Sequence, residues 1–175
     1  MSTGPRYRVH FRRRREGKTD YRVRLRLLKS GTARAVVRFS GRRVRVSIIQ
    51  YDPVGDRVVA AAESAELAWV GFPASSFAST PAAYLTAYLA GLRSKSAGAE
   101  SAVLDTGIRH PTQGGRLSAA LKGLLDSGLE VPHGEGGFPS TERLNGAHLP
   151  KPLPQPLEAY KMKLPEIVPR AEAKA

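Results

Sequence analysis

Arg12, Arg13, Arg14 and Arg15 form an unbroken run of four guanidinium groups near the start of this 175-residue chain. Around them, Arg6, Arg8, Lys18, Arg22, Arg24, Arg26 and Lys29 interleave with Tyr7, His10, Phe11 and Tyr21. A guanidinium is a planar fork of donors that matches phosphate oxygens two at a time and also stacks on bases. Aromatic rings add stacking on unpaired bases. Residues 1–50 hold 14 Arg and 2 Lys against Glu16 and Asp20, a net of +14. Residues 51–175 hold 12 basic and 13 acidic residues, a net of −1, so the whole excess lies in the first 50 positions. Such a segment repels itself until a polyanion neutralises it. A lone four-residue basic run is more often a solubility or localisation signal. Here the excess spans 50 residues, which favours nucleic-acid binding. Attachment to a membrane surface would need a basic helix with a broad apolar face. The arm has none, and no membrane partner is expected.

Other chemistries find less support. The chain has no Cys, which excludes disulfides, thiolate metal sites and thiol catalysis. His10, His110, His133 and His148 are not spaced for a metal site, and no cofactor is expected. Asp105 ends an apolar run, where catalytic carboxylates often lie, and Asp52, Asp56 or Glu63 could join it in a two-metal nuclease site. The simpler expectation is that Asp52 and Asp56 are turn residues beside Pro53 and Gly55, and that Asp105-Thr106-Gly107 is a strand exit. GIRHPTQGG (107–115) lacks the Gly-Lys-Ser/Thr of a phosphate loop, although Arg109 and His110 could touch a phosphate. No nucleophile elbow is present, so the chain is not expected to be an enzyme. No helix-turn-helix, zinc or RRM signature is present either. A flexible arginine arm with a basic strand face suits the bulges and loops of a folded RNA better than duplex DNA.

The elements that must position these groups follow from periodicity. Residues 1–20 lack apolar periodicity and read as an arm with little structure until bound. Over 20–30, Arg22, Arg24 and Arg26 alternate with Val23, Leu25 and Leu27 at the period of a strand, yet Asp20 can cap a helix and Leu, Arg and Lys favour one, so a short helix is the preferred reading. RAVVRF (34–39) and RVRVSIIQ (43–50), joined by Ser40-Gly41-Arg42, read as a β-hairpin. One face carries Ala35, Val37, Phe39, Val44, Val46 and Ile48, and the other Arg34, Arg38, Arg43 and Arg45. A third strand is expected over 57–62, a short helix capped by Ser64 up to Gly71, and a longer helix over 81–97 capped by Thr80. A strand over 101–106, a helix over about 115–127 and an edge strand over 129–131 complete an α/β fold with a mixed sheet. Seven of the 13 prolines lie beyond Gly134, so no core is expected there, only a helical turn or two over 157–163. No apolar run approaches the roughly 18 residues of a membrane span, and no secretory signal is apparent. A soluble intracellular protein is the expectation.

Five collinear blocks carry a family resemblance: GPRYRVHFRRRREGKTDYRVRLRLLKSG (4–31), FSGRRVRVSII (39–49), TPAAYLTAYLAGLRSKSAG (80–98), VLDTG (103–107) and GLEVPH (128–133). Together they resemble ribosomal protein L-eighteen in its archaeal form. The bacterial form has a shorter stretch matching 17–30 and lacks the C-terminal tail. The resemblance implies a mixed-sheet α/β half-sandwich with a basic arm over 1–31, a core domain over 32–133 and a Pro/Gly-rich extension over 134–175. It also implies binding to 5S rRNA in the central protuberance, with reach to 23S rRNA and neighbouring large-subunit proteins. By position, Arg6–Lys18, Tyr21–Lys29 and the turn of Ser40, Arg42 and Arg43 would face RNA. That turn departs from the family's usual Ser-Asn-Lys, keeping charge and losing an amide.

Overall fold

A computed structural model describes residues 4–168. Its centre is a four-stranded sheet in the order β3-β2-β1-β4. Strands β1 (Ala33–Phe39), β2 (Val44–Gln50) and β3 (Arg57–Glu63) form an antiparallel meander, and β4 (Ala102–Asp105) joins β1 in parallel. The register pairs Ala35 with Ile48, Val37 with Val46 and Phe39 with Val44, so the apolar side chains line one face as the alternation requires. Ala60 and Ala62 of β3 extend that buried face.

Two helices fill the layer beneath. Helix α3 (Thr80–Ser96) packs on β2 and β3, and α4 (Arg116–Asp126) packs on α3. The stripe at Leu85, Tyr88, Leu89 and Leu92 understates how enclosed α3 is. All eight residues from Thr80 to Ala87 are buried, because α3 lies between the sheet, α4 and the C-terminal segment. Small residues allow this closeness: a Cβ on Gly123 would collide with the Tyr84 carbonyl, and one on Gly91 with the Ser127 hydroxyl.

Several local expectations are corrected. Ser79, not Thr80, caps α3, accepting a hydrogen bond from the Ala82 N–H, with Thr80 already helical. Residues Ser64–Val70 form a 3-10 helix capped by Glu63, whose partner Glu66 completes a reciprocal capping box. The Ser64 hydroxyl instead accepts from the Val44 N–H. The edge strand over 129–131 reduces to one bridge, Ser101 with Glu130.

The largest correction concerns the segment after Gly134. Besides α5 (Thr141–Leu144) and α6 (Leu157–Lys163), it contributes Leu144, Leu157, Tyr160 and Leu164 to the central apolar cluster. Tyr160 meets Phe72 edge-on at 5.2 Å. Lys161 lies over the rings of Tyr84 and Tyr88 at 5.9 and 5.2 Å. The prolines punctuate this segment and set its path; the leucines and the tyrosine bind it down.

Candidate nucleic-acid interface

The second face of the sheet is open, and the basic residues gather there. The stretch before it carries two short helices, α1 (Arg12–Arg15) and α2 (Tyr21–Leu28). Asp20 caps α2 as expected, its Oδ1 accepting from the N–H groups of Arg22 (2.8 Å) and Val23 (3.2 Å). Arg6, Tyr7, Arg8, His10, Phe11, Arg12, Arg13, Arg14, Arg15 and Lys18 are all exposed. Phe11 and Tyr21 face each other at 5.3 Å, and Tyr7 and His10 at 6.4 Å, leaving ring faces beside the guanidiniums. Three contacts restrain the arm locally: Arg13 Nε donates to Thr19 Oγ1 at 2.9 Å, while Arg12 and Lys18 pair with Glu16. On α2, Arg22, Arg26 and Lys29 point outward and Tyr21 and Arg24 are half-buried.

Between α2 and the sheet lies a cleft of about 460 Å³, lined by Arg13, Lys18, Tyr21, Arg24, Arg38 and Asp105 among others. Its floor is an alternating chain of charges. Arg24 Nη2 donates to Asp56 Oδ2 at 2.9 Å, and Arg34 Nη2 donates to the same oxygen at 2.6 Å. Arg34 Nη1 reaches Asp105 Oδ2 at 3.0 Å, and Arg38 Nη2 reaches Asp105 Oδ1 at 3.1 Å. Gly107 N–H closes the turn on Asp105 Oδ1 at 2.8 Å. Gly107 has φ +67°, and the Arg38 guanidinium lies 3.1 Å from where its Cβ would be, so the position favours glycine.

Arg34 therefore does not belong to an outward arginine face. It is 2% exposed and spent on two carboxylates. Alternation placed it correctly opposite the apolar face; what it meets there is protein. Arg38 keeps its outer edge exposed while tied to Asp105. Arg43 and Arg45 share Glu63, each at 3.2 Å, and remain more than half exposed. Ser40 holds the hairpin turn: its hydroxyl accepts from the N–H groups of Arg42 (3.3 Å) and Arg43 (2.9 Å), leaving Arg42 in solvent. Arg109 Nη2 approaches the Phe39 carbonyl at 3.5 Å, which brings loop 107–110, with exposed His110, against the hairpin end. Ile108 in turn lines a recess with Arg14, Tyr21 and Arg22. Arm, hairpin turn and loop thus meet on one side of the molecule. Thr19, Gly107 and Ile108 belong to this surface, and their individual residue types carry no signal of it.

The carboxylates considered for metal chemistry are occupied otherwise. Asp52 Oδ1 accepts from the Val54 N–H at 2.9 Å in a turn, and Asp56, Glu63 and Asp105 hold arginines. Among the described residues, no group of three His, Asp or Glu side chains is placed to hold a metal ion. Also among them, no helix is long and apolar enough to cross a membrane.

Burial pushes the carboxyls of Asp56 and Asp105 up, and their guanidinium partners pull both further down, so each sits below the usual carboxylate range. The Arg45 hydrogen bond lowers Glu63 as well, against a smaller effect of burial. A carboxyl depressed in the folded state stabilises above its unfolded pKa and ceases to do so as pH falls through its folded one. The urea midpoint is therefore expected to fall as pH drops below about 5, where unfolded carboxyls begin to protonate, in addition to a loss between about pH 7 and 5 from His148, whose imidazole is held below its ordinary pKa by burial and by Arg143. A midpoint unchanged down to pH 2 would contradict these pairings.

Comparison with known proteins adds the following. Residues 5–97 match the family model described as "Ribosomal large subunit proteins 60S L5, and 50S L18". The Large ribosomal subunit protein uL18 of Methanoculleus marisnigri is 50% identical over 155 residues, 89% of this chain and 88% of that protein. The protein of the same name in Methanococcoides burtonii is 48% identical over 169 residues, 94% of this chain and 97% of its own length. That of Haloarcula marismortui is 48% identical over 149 residues, 85% and 79% of the two chains.

Proposed function

The chain belongs to the family of ribosomal large subunit proteins 60S L5 and 50S L18, and on that premise we propose that it binds 5S rRNA and helps attach it to 23S rRNA in the central protuberance. The family is one of ribosomal subunit proteins rather than enzymes, and its members work in the cytoplasm as part of the large subunit. In this reading residues 1–31 are the rRNA-binding arm of a half-sandwich body whose core takes in the segment up to Leu164.

One observation carries the RNA reading most directly. The arm, the Ser40–Arg43 turn and the loop at Arg109 and His110 converge on one side of the sheet, and their free guanidinium edges and aromatic faces are exposed. That combination meets phosphate and unpaired bases together. Of the acidic residues that could have served a nuclease, Asp56, Glu63 and Asp105 orient arginines and Asp52 closes a turn. A competition experiment tests the reading. At about 150 mM salt, where non-specific binding is weak, an archaeal 5S rRNA transcript should stay bound against excess duplex DNA. Ready displacement by DNA would point to general nucleic-acid compaction instead.

A further inference from the structure

The arm is joined to the body by very little. Among the described residues, positions 4–29 make one polar side-chain link to the body, Arg24 to Asp56 in the turn before β3, and no backbone hydrogen bond to the sheet. Helix α2 has no buried residue. Its half-buried aliphatic residues are Val23, Leu27 and Leu28, of which Val23 and Leu27 line the cleft with Val36 and Ile49. An eight-residue helix is marginal in water without tertiary support. Its Asp20 cap steadies the first turn but does not decide where the helix lies.

Asp56, by contrast, is fixed. Its Oδ2 is held at 2.6 Å by Arg34, which is itself buried and locked on its other side by Asp105. The same oxygen receives Arg24 from the helix.

We propose that Asp56 is a positioning residue for RNA binding: held by Arg34, it tethers Arg24 and thereby keeps α2 and the arginine arm over the open face of the sheet. The consequence for RNA rests on the function proposed above; the tether itself does not.

The sign of the effect separates this role from simple charge. Asp56→Asn raises the net charge by one. As a local charge alone, that change would tighten binding to a polyanion. As a lost tether, it frees the arm, and the ordering must then be met on binding, which weakens the complex. Asp56→Asn leaves Arg34 paired with Asp105, so the body should stay folded. Arg24→Gln cuts the same link from the helix side without touching Arg34.

Hydrogen exchange of the free proteins gives the first readout. Both variants should lose protection at the α2 amides by about tenfold, with the β1 amides unchanged, and Asp56→Glu should restore part of it. Unchanged protection of α2 in Asp56→Asn and Arg24→Gln overturns the tether. Affinity for an archaeal 5S rRNA transcript at fixed salt gives the second. Asp56→Asn should bind about three- to tenfold more weakly. Equal or tighter binding alongside lost α2 protection overturns the positioning role. Failure of the wild-type chain to bind the transcript overturns the functional reading and leaves the exchange result to judge the tether by itself.

Discussion

Asp105→Ala is expected to destabilise the protein by about 2–4 kcal/mol, because the buried Arg34 Nη1 and the Gly107 N–H both lose their acceptor. Asp105 is 6% exposed and joins Arg34, Arg38 and the Gly107 N–H. Removing it leaves Arg34, itself 2% exposed, with Asp56 as its one remaining carboxylate. It also frees the turn that presents loop 107–110. The opposite truncation, Arg34→Met, is gentler, because Asp105 keeps Arg38 and Asp56 keeps Arg24. Urea unfolding of both variants at pH 7 measures the contrast. A loss below about 1 kcal/mol for Asp105→Ala, the scale of an exposed pair, would show that solvent screens this site despite its burial.

Replacing Arg12, Arg13, Arg14 and Arg15 together by alanine should act on binding and leave folding intact, since none of the four is buried. If each neutralises one phosphate, the slope of log affinity against log salt should flatten by about 2.8–3.6, taking 0.7–0.9 per phosphate. Over a fourfold rise in salt, from 50 to 200 mM, the wild-type chain should lose about 50- to 150-fold more affinity for 5S rRNA than the variant. Filter binding across that range supplies both slopes. Parallel slopes would mean that these four guanidiniums touch no phosphate, and the arm would lose its place in the interface.

Much of this was readable from residue order, for physical reasons that differ by element. The hairpin was legible because β-branched residues at alternate positions have one way to bury a face, and its boundaries moved by a residue at most. Helix α2 was legible from its cap, where Asp20 has donors two and three residues ahead. Arg34 was misread because its partners are 22 and 71 residues away, and period two assigns a side chain to a face without saying what covers that face. The far segment was misread because prolines dominated the composition. Leu157, Tyr160 and Leu164 recur at spacings of three and four, a helical stripe that was present and outvoted. The relation of Asp56 to α2 could not be seen at all, since a turn aspartate looks the same whether or not an arginine lands on it.

The place of those last apolar residues has a consequence for how the chain is made. Leu157, Tyr160 and Leu164 complete the same cluster that Val37 and Val46 begin. Translation delivers the cationic arm before these closing side chains. Until residue 164 has been added, α3 lacks part of its cover and the nascent body keeps an oily flank beside an arginine-rich arm, so vectorial synthesis leaves this fold in need of shelter until that segment has emerged.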